Sequence, residues 1–141
     1  MPDEKVSTGS HFRYTLSIDG RDEGVWDLAT GLGRGSEVSK HRAGGSLTSS
    51  ATLPGAIVHD DVTVNRGYQR TRDHDLARRL IGREGRAPVV LKSIPLDADM
   101  NPYGRPTTRA GVLMRVNEPD YDSNSTDTAR LELVLSVESI A

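Results

Sequence analysis

Glu37-Val38-Ser39-Lys40-His41-Arg42-Ala43-Gly44-Gly45, followed by Thr52-Leu53-Pro54-Gly55 and then Val62-Thr63-Val64-Asn65-Arg66-Gly67, is the stretch on which the reading of this chain turns. Glycines are spaced through it and its approach, at Gly31, Gly33, Gly35, Gly44 and Gly45. Such glycines mark turns or a close approach of backbone. Residues 46–53 have strand character, with small hydroxyl side chains on one face, and residues 57–65 continue with Ile57, Val58, Val62 and Val64. A hydroxyl-rich face suits a wall lining an aqueous space, and equally an ordinary solvent-facing sheet. A phosphate cradle is not indicated. Gly31-x-Gly33-x-Gly35 lacks the G-x-x-x-x-G-K-[ST] spacing, and no helical pattern follows it.

The flanking sequence is also mostly strand. Phe12, Tyr14, Leu16 and Ile18 alternate with Arg13, Thr15, Ser17 and Asp19, the period of a half-buried strand. Asp19-Gly20 ends it as a turn signal, and Val25 to Ala29 reads as a second strand. Downstream, Pro88 to Leu96 is an apolar run, residues 97–106 form a loop built on Asn101-Pro102-Tyr103-Gly104, and Val112 to Val116 is a further strand. The clearest strand is the last. Ala129, Leu131, Leu133, Leu135 and Val137 alternate with Arg130, Glu132, Val134, Ser136 and Glu138, so that one face is core.

One helix is expected, after Arg70. Thr71 or Asp73 can cap its start, Leu76 and Leu80 sit at i, i+4 with Ala77 and Ile81 beside them, and Gly82 stops it. Its apolar stripe is narrow, enough to lie on a sheet but not to form a bundle. Asp73 in the first turn and Arg78, Arg79 and Arg83 near the end complement the helix dipole.

Composition bounds what such a chain can be. A length of 141 residues fits one domain spanning 1–141, with residues 1–10 polar and frayed. Aromatics are 4% and the mean hydropathy is -0.51, a modest apolar supply, so part of the stability is expected to come from neighbouring molecules. The net charge of -2 arises from 20 acidic and 18 basic residues, and no basic stripe marks a nucleic-acid surface. The chain has no cysteine, hence no disulfide and no thiolate chemistry. Met1-Pro2-Asp3-Glu4-Lys5 opens no signal peptide and no run approaches membrane-spanning length, so synthesis in the cytosol without a membrane anchor is expected.

The residues do not point to catalysis. The four histidines are His11, His41, His59 and His74, and two lie in His59-Asp60-Asp61 and Asp73-His74-Asp75. Neighbouring residues on a strand face opposite ways, and on a helix they diverge by about 100°, so neither triplet converges on one ion. No serine lies in a G-x-S-x-G turn. The expectation is a protein with no catalytic residue, no cofactor and no metal.

The order of pieces resembles the tail-tube family of contractile phage tails and phage-tail-like injection systems. That family shows an "EV…REGG … LPG … ITLxRG" progression, matched here by Glu37-Val38, Arg42-Ala43-Gly44-Gly45, Leu53-Pro54-Gly55 and Val62 to Gly67. Gly24-Val25-Trp26-Asp27-Leu28 stands where the family has a glycine, an aromatic residue and an acidic one, and Thr30-Gly31-Leu32 is similar to its Ser-Gly-Leu. Glu118-Pro119-Asp120-Tyr121-Asp122, leading into Thr128-Ala129-Arg130-Leu131-Glu132-Leu133, resembles its "P-x-L-D-A … E-x-L-E-L" ending. Two departures are plain. A tryptophan-rich segment usual after the Arg-Gly pair is replaced by Tyr68 and the helix, and Leu113 and Met114 stand where aromatic residues are expected.

The resemblance implies a mainly β fold of two packed antiparallel sheets, sandwich or barrel, with one flanking α-helix. It further implies hexameric rings with a continuous lumen barrel, stacked head to tail into a hollow tube. The partners implied are other copies of the chain, a sheath protein, baseplate, spike and cap proteins, and protein cargo in the lumen, with no specific nucleic-acid binding. Assembly is expected in the cytoplasm, with the product staying there or ending in a released particle or virion. Contact candidates between subunits or rings are Glu37, Lys40, Arg42, Gly44, Gly45, Leu53, Pro54, Gly55, Arg66 and Gly67. The alternative from the residues alone is a monomeric small β-barrel that binds a ligand.

Overall fold

The computed structural model describes residues 11–42, 50–119 and 129–141. Along the chain these form β1 (Phe12–Ile18), β2 (Arg21–Trp26), β3 (Leu28–Thr30), β4 (Arg34–Arg42), β5 (Ser50–His59) and β6 (Val62–Gly67). Then follow α1 (Arg70–Arg79), β7 (Pro88–Pro95), β8 (Thr107–Asn117) and β9 (Arg130–Ile140). Residues 1–10, Gly44 and Gly45, residues 46–49 of the expected hydroxyl-rich strand and the stretch 120–128 lie outside the described residues.

A seven-stranded sheet runs in the order β2-β1-β7-β8-β9-β6-β3, and every pairing in it is antiparallel. Its two edge strands are consecutive in the chain, with Asp27 alone between them. A sheet whose first and last strands are joined by one residue has curled round to meet itself. The Asp27 N–H donates to the Asn65 carbonyl at 3.0 Å, stitching the seam to β6. The result is a barrel without a long free edge, which removes the usual site of unwanted strand pairing. The expected mainly β fold with one helix is observed, in its barrel form.

This closure corrects one sequence expectation. Val25 to Ala29 is not one strand. Trp26 pairs with Tyr14 of β1, whereas Leu28 pairs with Asn65 of β6, so the chain changes partner at Asp27. Period-two alternation cannot register a change of neighbour. At the other end of β2, Asp19 and Gly20 both have positive φ, at 54° and 77°. These are the angles of the two-residue hairpin turn that an Asp-Gly pair announces.

The barrel interior is filled by Leu16 and Ile18 of β1, Trp26, Val62 and Val64 of β6, Val89 and Leu91 of β7, Leu113 of β8, and Leu131, Leu133 and Leu135 of β9. Each such burial contributes roughly 1.5–3 kcal/mol. On β6 and β9 the inward residues face one another in register, Val62 with Leu135, Val64 with Leu133 and Arg66 with Leu131. β8 passes so close to β9 that a Cβ on Gly111 would lie 1.8 Å from the Ser136 carbonyl oxygen, which leaves glycine as the only residue that fits.

Helix α1 adds Leu76 and Leu80 to the same core, as their spacing predicts, while Ile81 turns outward. Gly82 follows at φ 79°, the left-handed conformation that ends helices. Neither Thr71 nor Asp73 caps the start. The helix begins at Arg70 after Gln69, and Asp73 reaches back one turn to accept the Gln69 N–H at 2.8 Å.

The remaining strands, β4 and β5, form a separate two-stranded antiparallel sheet, from Arg34 paired with His59 to Arg42 paired with Ser50. The stretch quoted from Glu37 to Pro54 thus lies on a pair of antiparallel strands that extends further at its root, to Arg34 and His59. β5 lies against β9 where the hairpin leaves the barrel.

Candidate functional site

The hairpin holds most of the sequence-derived contact candidates. Its register slips between Ser36 and Val38, where Gly55 and Ala56 of β5 together oppose the single residue Glu37 of β4, a bulge on β5. Ser36 Oγ donates to the carbonyls of Glu37, at 3.2 Å, and of Gly55, at 3.3 Å. A Cβ on Gly55 would lie 2.3 Å from the Glu37 oxygen. Glu37 and Gly55 are thus two halves of one device, and the glycine is present because two backbones touch. Lys40 and Arg42 continue β4, and Leu53 and Pro54 precede Gly55 on β5.

The ribbon's surface is unusual for its size. Val38 is 53% exposed, Ile57 67% and Val58 49%. Ile57 and Val58 are adjacent on a strand and so point to opposite faces. Apolar side chains are therefore uncovered on both faces, and neither outer edge is paired among the described strands. A two-stranded ribbon with no layer against it is marginal in water.

Arg66 and Gly67 belong elsewhere. Arg66 is only 2% exposed and faces inward, so it offers no surface to a partner. Its Nη2 donates to Asp73 Oδ1 and its Nη1 to the Glu23 carbonyl, each at 2.6 Å, and its guanidinium lies 4.1 Å over the Trp26 ring. Asp73 is fully buried, and its carboxylate also accepts from Arg72 Nε and Nη2, both at 2.9 Å. Burial alone would raise the Asp73 pKa. The hydrogen bonds from Arg72 and Gln69 and the charges of Arg66 and Arg72 outweigh it and hold the carboxyl below its usual value. Burial is the main cause lowering the Arg66 pKa, and Asp73 opposes it.

Two more ion pairs continue this line along the helix. Arg79 Nη1 donates to Glu23 Oε1 at 2.9 Å, and Arg83 Nη2 donates to Asp19 Oδ1 at 2.7 Å. The arginines expected to complement the helix dipole thus tie α1 to β2 and to the β1–β2 turn. Gly67, at the end of β6, donates its N–H to Asp27 Oδ2 at 3.1 Å and helps close the barrel seam.

Sequence reasoning missed the buried Arg66–Asp73 pair, although a signal existed. Val62, Val64 and Arg66 share one period-two face, so continuing the alternation one step places the arginine inside. Its counter-ion could not be found that way, because Asp73 arrives from the helix.

Among the described residues no group of three His, Cys, Asp or Glu side chains is arranged to hold a metal ion, and no helix is long and apolar enough to cross a membrane. His59, at the end of β5, and His74, on α1, stand far apart in the topology.

With barrel, helix and hairpin in place, the architecture can be set beside known structures. No protein-family model matches the sequence, and no curated protein matches it either. Solved structures do match. A chain of the 6-fold symmetrised cryo-EM structure of the anti-feeding prophage (AFP) baseplate superposes with a TM-score of 0.66 at 21% identity, covering 96% of this chain and 93% of that one. A chain of the PVC sheath-tube complex, an extracellular contractile injection system in its extended state, gives a TM-score of 0.64 at 14% identity, with coverages of 92% and 86%. A chain of the AFP tube-terminating cap gives 0.63 at 11% identity, again covering 92% and 86%. The fold is that of contractile-injection-particle components. The likeness spans barrel, helix and hairpin together, since so little of either chain is left out.

Proposed function

We propose that this chain is a structural subunit of the inner tube of a contractile injection system or phage tail, and not an enzyme. Copies join side by side into six-membered rings, and rings stack head to tail into a hollow tube. A contractile sheath drives the tube through a target envelope, with cargo in the lumen. The contacts come from the segment 37–55, through Glu37, Lys40, Arg42, Gly44, Gly45, Leu53, Pro54 and Gly55. Sheath, baseplate, spike and cap proteins are its other partners. Assembly takes place in the cytoplasm.

The observation that carries this reading is the contrast between a sealed barrel and an unsealed ribbon. The barrel encloses a filled core, although Phe12, Val25, Leu28, Val90 and Met114 of its strands are also exposed, whereas the hairpin encloses no core and presents Val38, Ile57 and Val58 outward on both faces. A head-to-tail contact between such ribbons propagates, which is what a filament requires. The fold likeness adds support, because the similar chains come from a 6-fold symmetrised baseplate, a sheath-tube complex and a tube cap. The alternative, a ligand-binding barrel, is disfavoured because Trp26 and the leucines of β9 occupy the interior where a ligand would sit.

Negative-stain microscopy and sedimentation of the purified chain test the proposal. Rings or tubes of uniform diameter are the expected result. A protein that stays monomeric at high concentration contradicts it.

A further inference from the structure

Arg34, Arg105 and Arg109 gather at the root of the hairpin. Arg109 of β8 is 8% exposed, and its Nη2 donates to the Leu32 carbonyl at 3.3 Å. No carboxylate among the described residues forms an ion pair with it. Burial first, and the nearby charge of Arg34 second, lower its pKa from the usual value. Arg34 and Arg105 wall an open cleft of about 440 Å³ together with Pro106, Thr107, Ile140 and Ala141. A second cleft of about 520 Å³ shares Arg34 and Ile140 and is lined also by Ile57, His59 and Glu138. There His59 Nδ1 is buried without a hydrogen-bond partner. The first cleft thus carries Arg34 and Arg105 and no acidic side chain, and the second carries Arg34 with Glu138, while Arg109 lies close enough to Arg34 to feel its charge.

We propose that this cleft receives a carboxylate from a second copy of the chain, and that Glu37 of that copy supplies it. The inference rests on the assembly reading above and names one of its contacts. Guanidinium forks match carboxylates in bidentate geometry, and the pair strengthens as water leaves. Glu37 sits exposed at the bulge of the same hairpin, with no cation within ion-pair distance among the described residues. A contact from hairpin bulge to hairpin root joins two different patches, so it repeats from copy to copy. With 20 acidic and 18 basic residues per chain, pairing between copies neutralises the cleft without recruiting another molecule.

The test uses the full chain with Arg34→Gln and Arg105→Gln combined, Glu37→Arg alone, Arg105→Glu alone, and the exchanged pair Glu37→Arg with Arg105→Glu. These side chains are exposed, so the melting temperature should stay close to that of wild type. The double glutamine variant should need roughly tenfold more protein to assemble, the scale of one interfacial charge pair. Each single reversal should block assembly, and the exchanged pair should recover it. Normal assembly of the double glutamine variant would overturn the inference, as would an exchanged pair that fails to recover. Stabilisation by inorganic phosphate, with assembly indifferent to these arginines, would make this a site for a free anion and overturn the second-copy assignment. A wild-type chain that never assembles sinks the tube reading as well, whereas assembly by every variant sinks this inference alone.

Discussion

Leu133 of β9 has no exposed surface, whereas Ile57 of β5 is 67% exposed, although both are apolar residues in the middle of antiparallel strands. The difference lies in what surrounds each strand. β9 has β8 on one side, β6 on the other and a filled interior behind it. β5 has β4 alone. The barrel is complete within one copy of the chain, because the β2–β3 junction brings its two ends together. Among the described residues the hairpin has no second paired strand, and on the proposed reading other copies complete it. If the hairpin carries the contacts proposed above, folding lies in one region and assembly in another, and the two should break separately.

The largest effect should follow from removing the hairpin's far end. Deleting residues 39–50 takes nothing from the barrel, so the subunit should fold, with near-native circular dichroism and a cooperative melt, yet form no tubes. Ordinary tubes from this variant would show that the contacts lie elsewhere.

Cutting the ionic centre should do the reverse. Asp73→Ala leaves Arg66 buried without its carboxylate and should cost about 3–5 kcal/mol, read as a lowered denaturation midpoint. The same pair gives the barrel an acid limit. Because the folded Asp73 pKa lies below its unfolded value of 3.8, its contribution is fully present above that pH and fades as pH falls through the folded value. Wild type should therefore lose stability below about pH 4, and Asp73→Asn should flatten that part of the curve. An unchanged acid limb in Asp73→Asn would remove Asp73 from this role.

Leu133→Ala should cost roughly 2–5 kcal/mol as a core truncation, and a melt equal to wild type would reverse the faces assigned to β9. Ile57→Ser should be the mildest change to the isolated subunit, within about 0.5 kcal/mol, because the side chain is already in water. It should still weaken assembly, which sedimentation reads directly. A large loss of subunit stability would place Ile57 in a core and undo the contrast.

The barrel was legible in the sequence to the extent that alternation reports burial. Leu16 and Ile18 on β1, the face of β9, the Asp19-Gly20 turn, Leu76 and Leu80, and Gly82 all follow local rules, whereas Phe12, on the same alternating face of β1, is 47% exposed. The residues that close the architecture do not. Asp27 is where the chain exchanges β1 for β6, and no periodicity records a neighbour. Asp73 looked like a helix cap because acids favour first turns, but its partner Arg66 lies on a different element. In the hairpin the motif residues were found, yet their reasons were hidden. Gly55 is required by the approach of the Glu37 backbone, and Arg66, adjacent in the same motif, serves the barrel interior. A motif fixes an order of residues, and the packing decides which of them face a partner.

Hydrogen exchange, compared between the dispersed subunit and its assembled form, tests the division between barrel and hairpin most directly. The account predicts that amides of β1, β6, β8 and β9 exchange slowly in both states, while those of β4 and β5 exchange fast in the subunit and slowly once assembled. Hairpin amides equally protected in the two states, or still unprotected in the assembly, would contradict it.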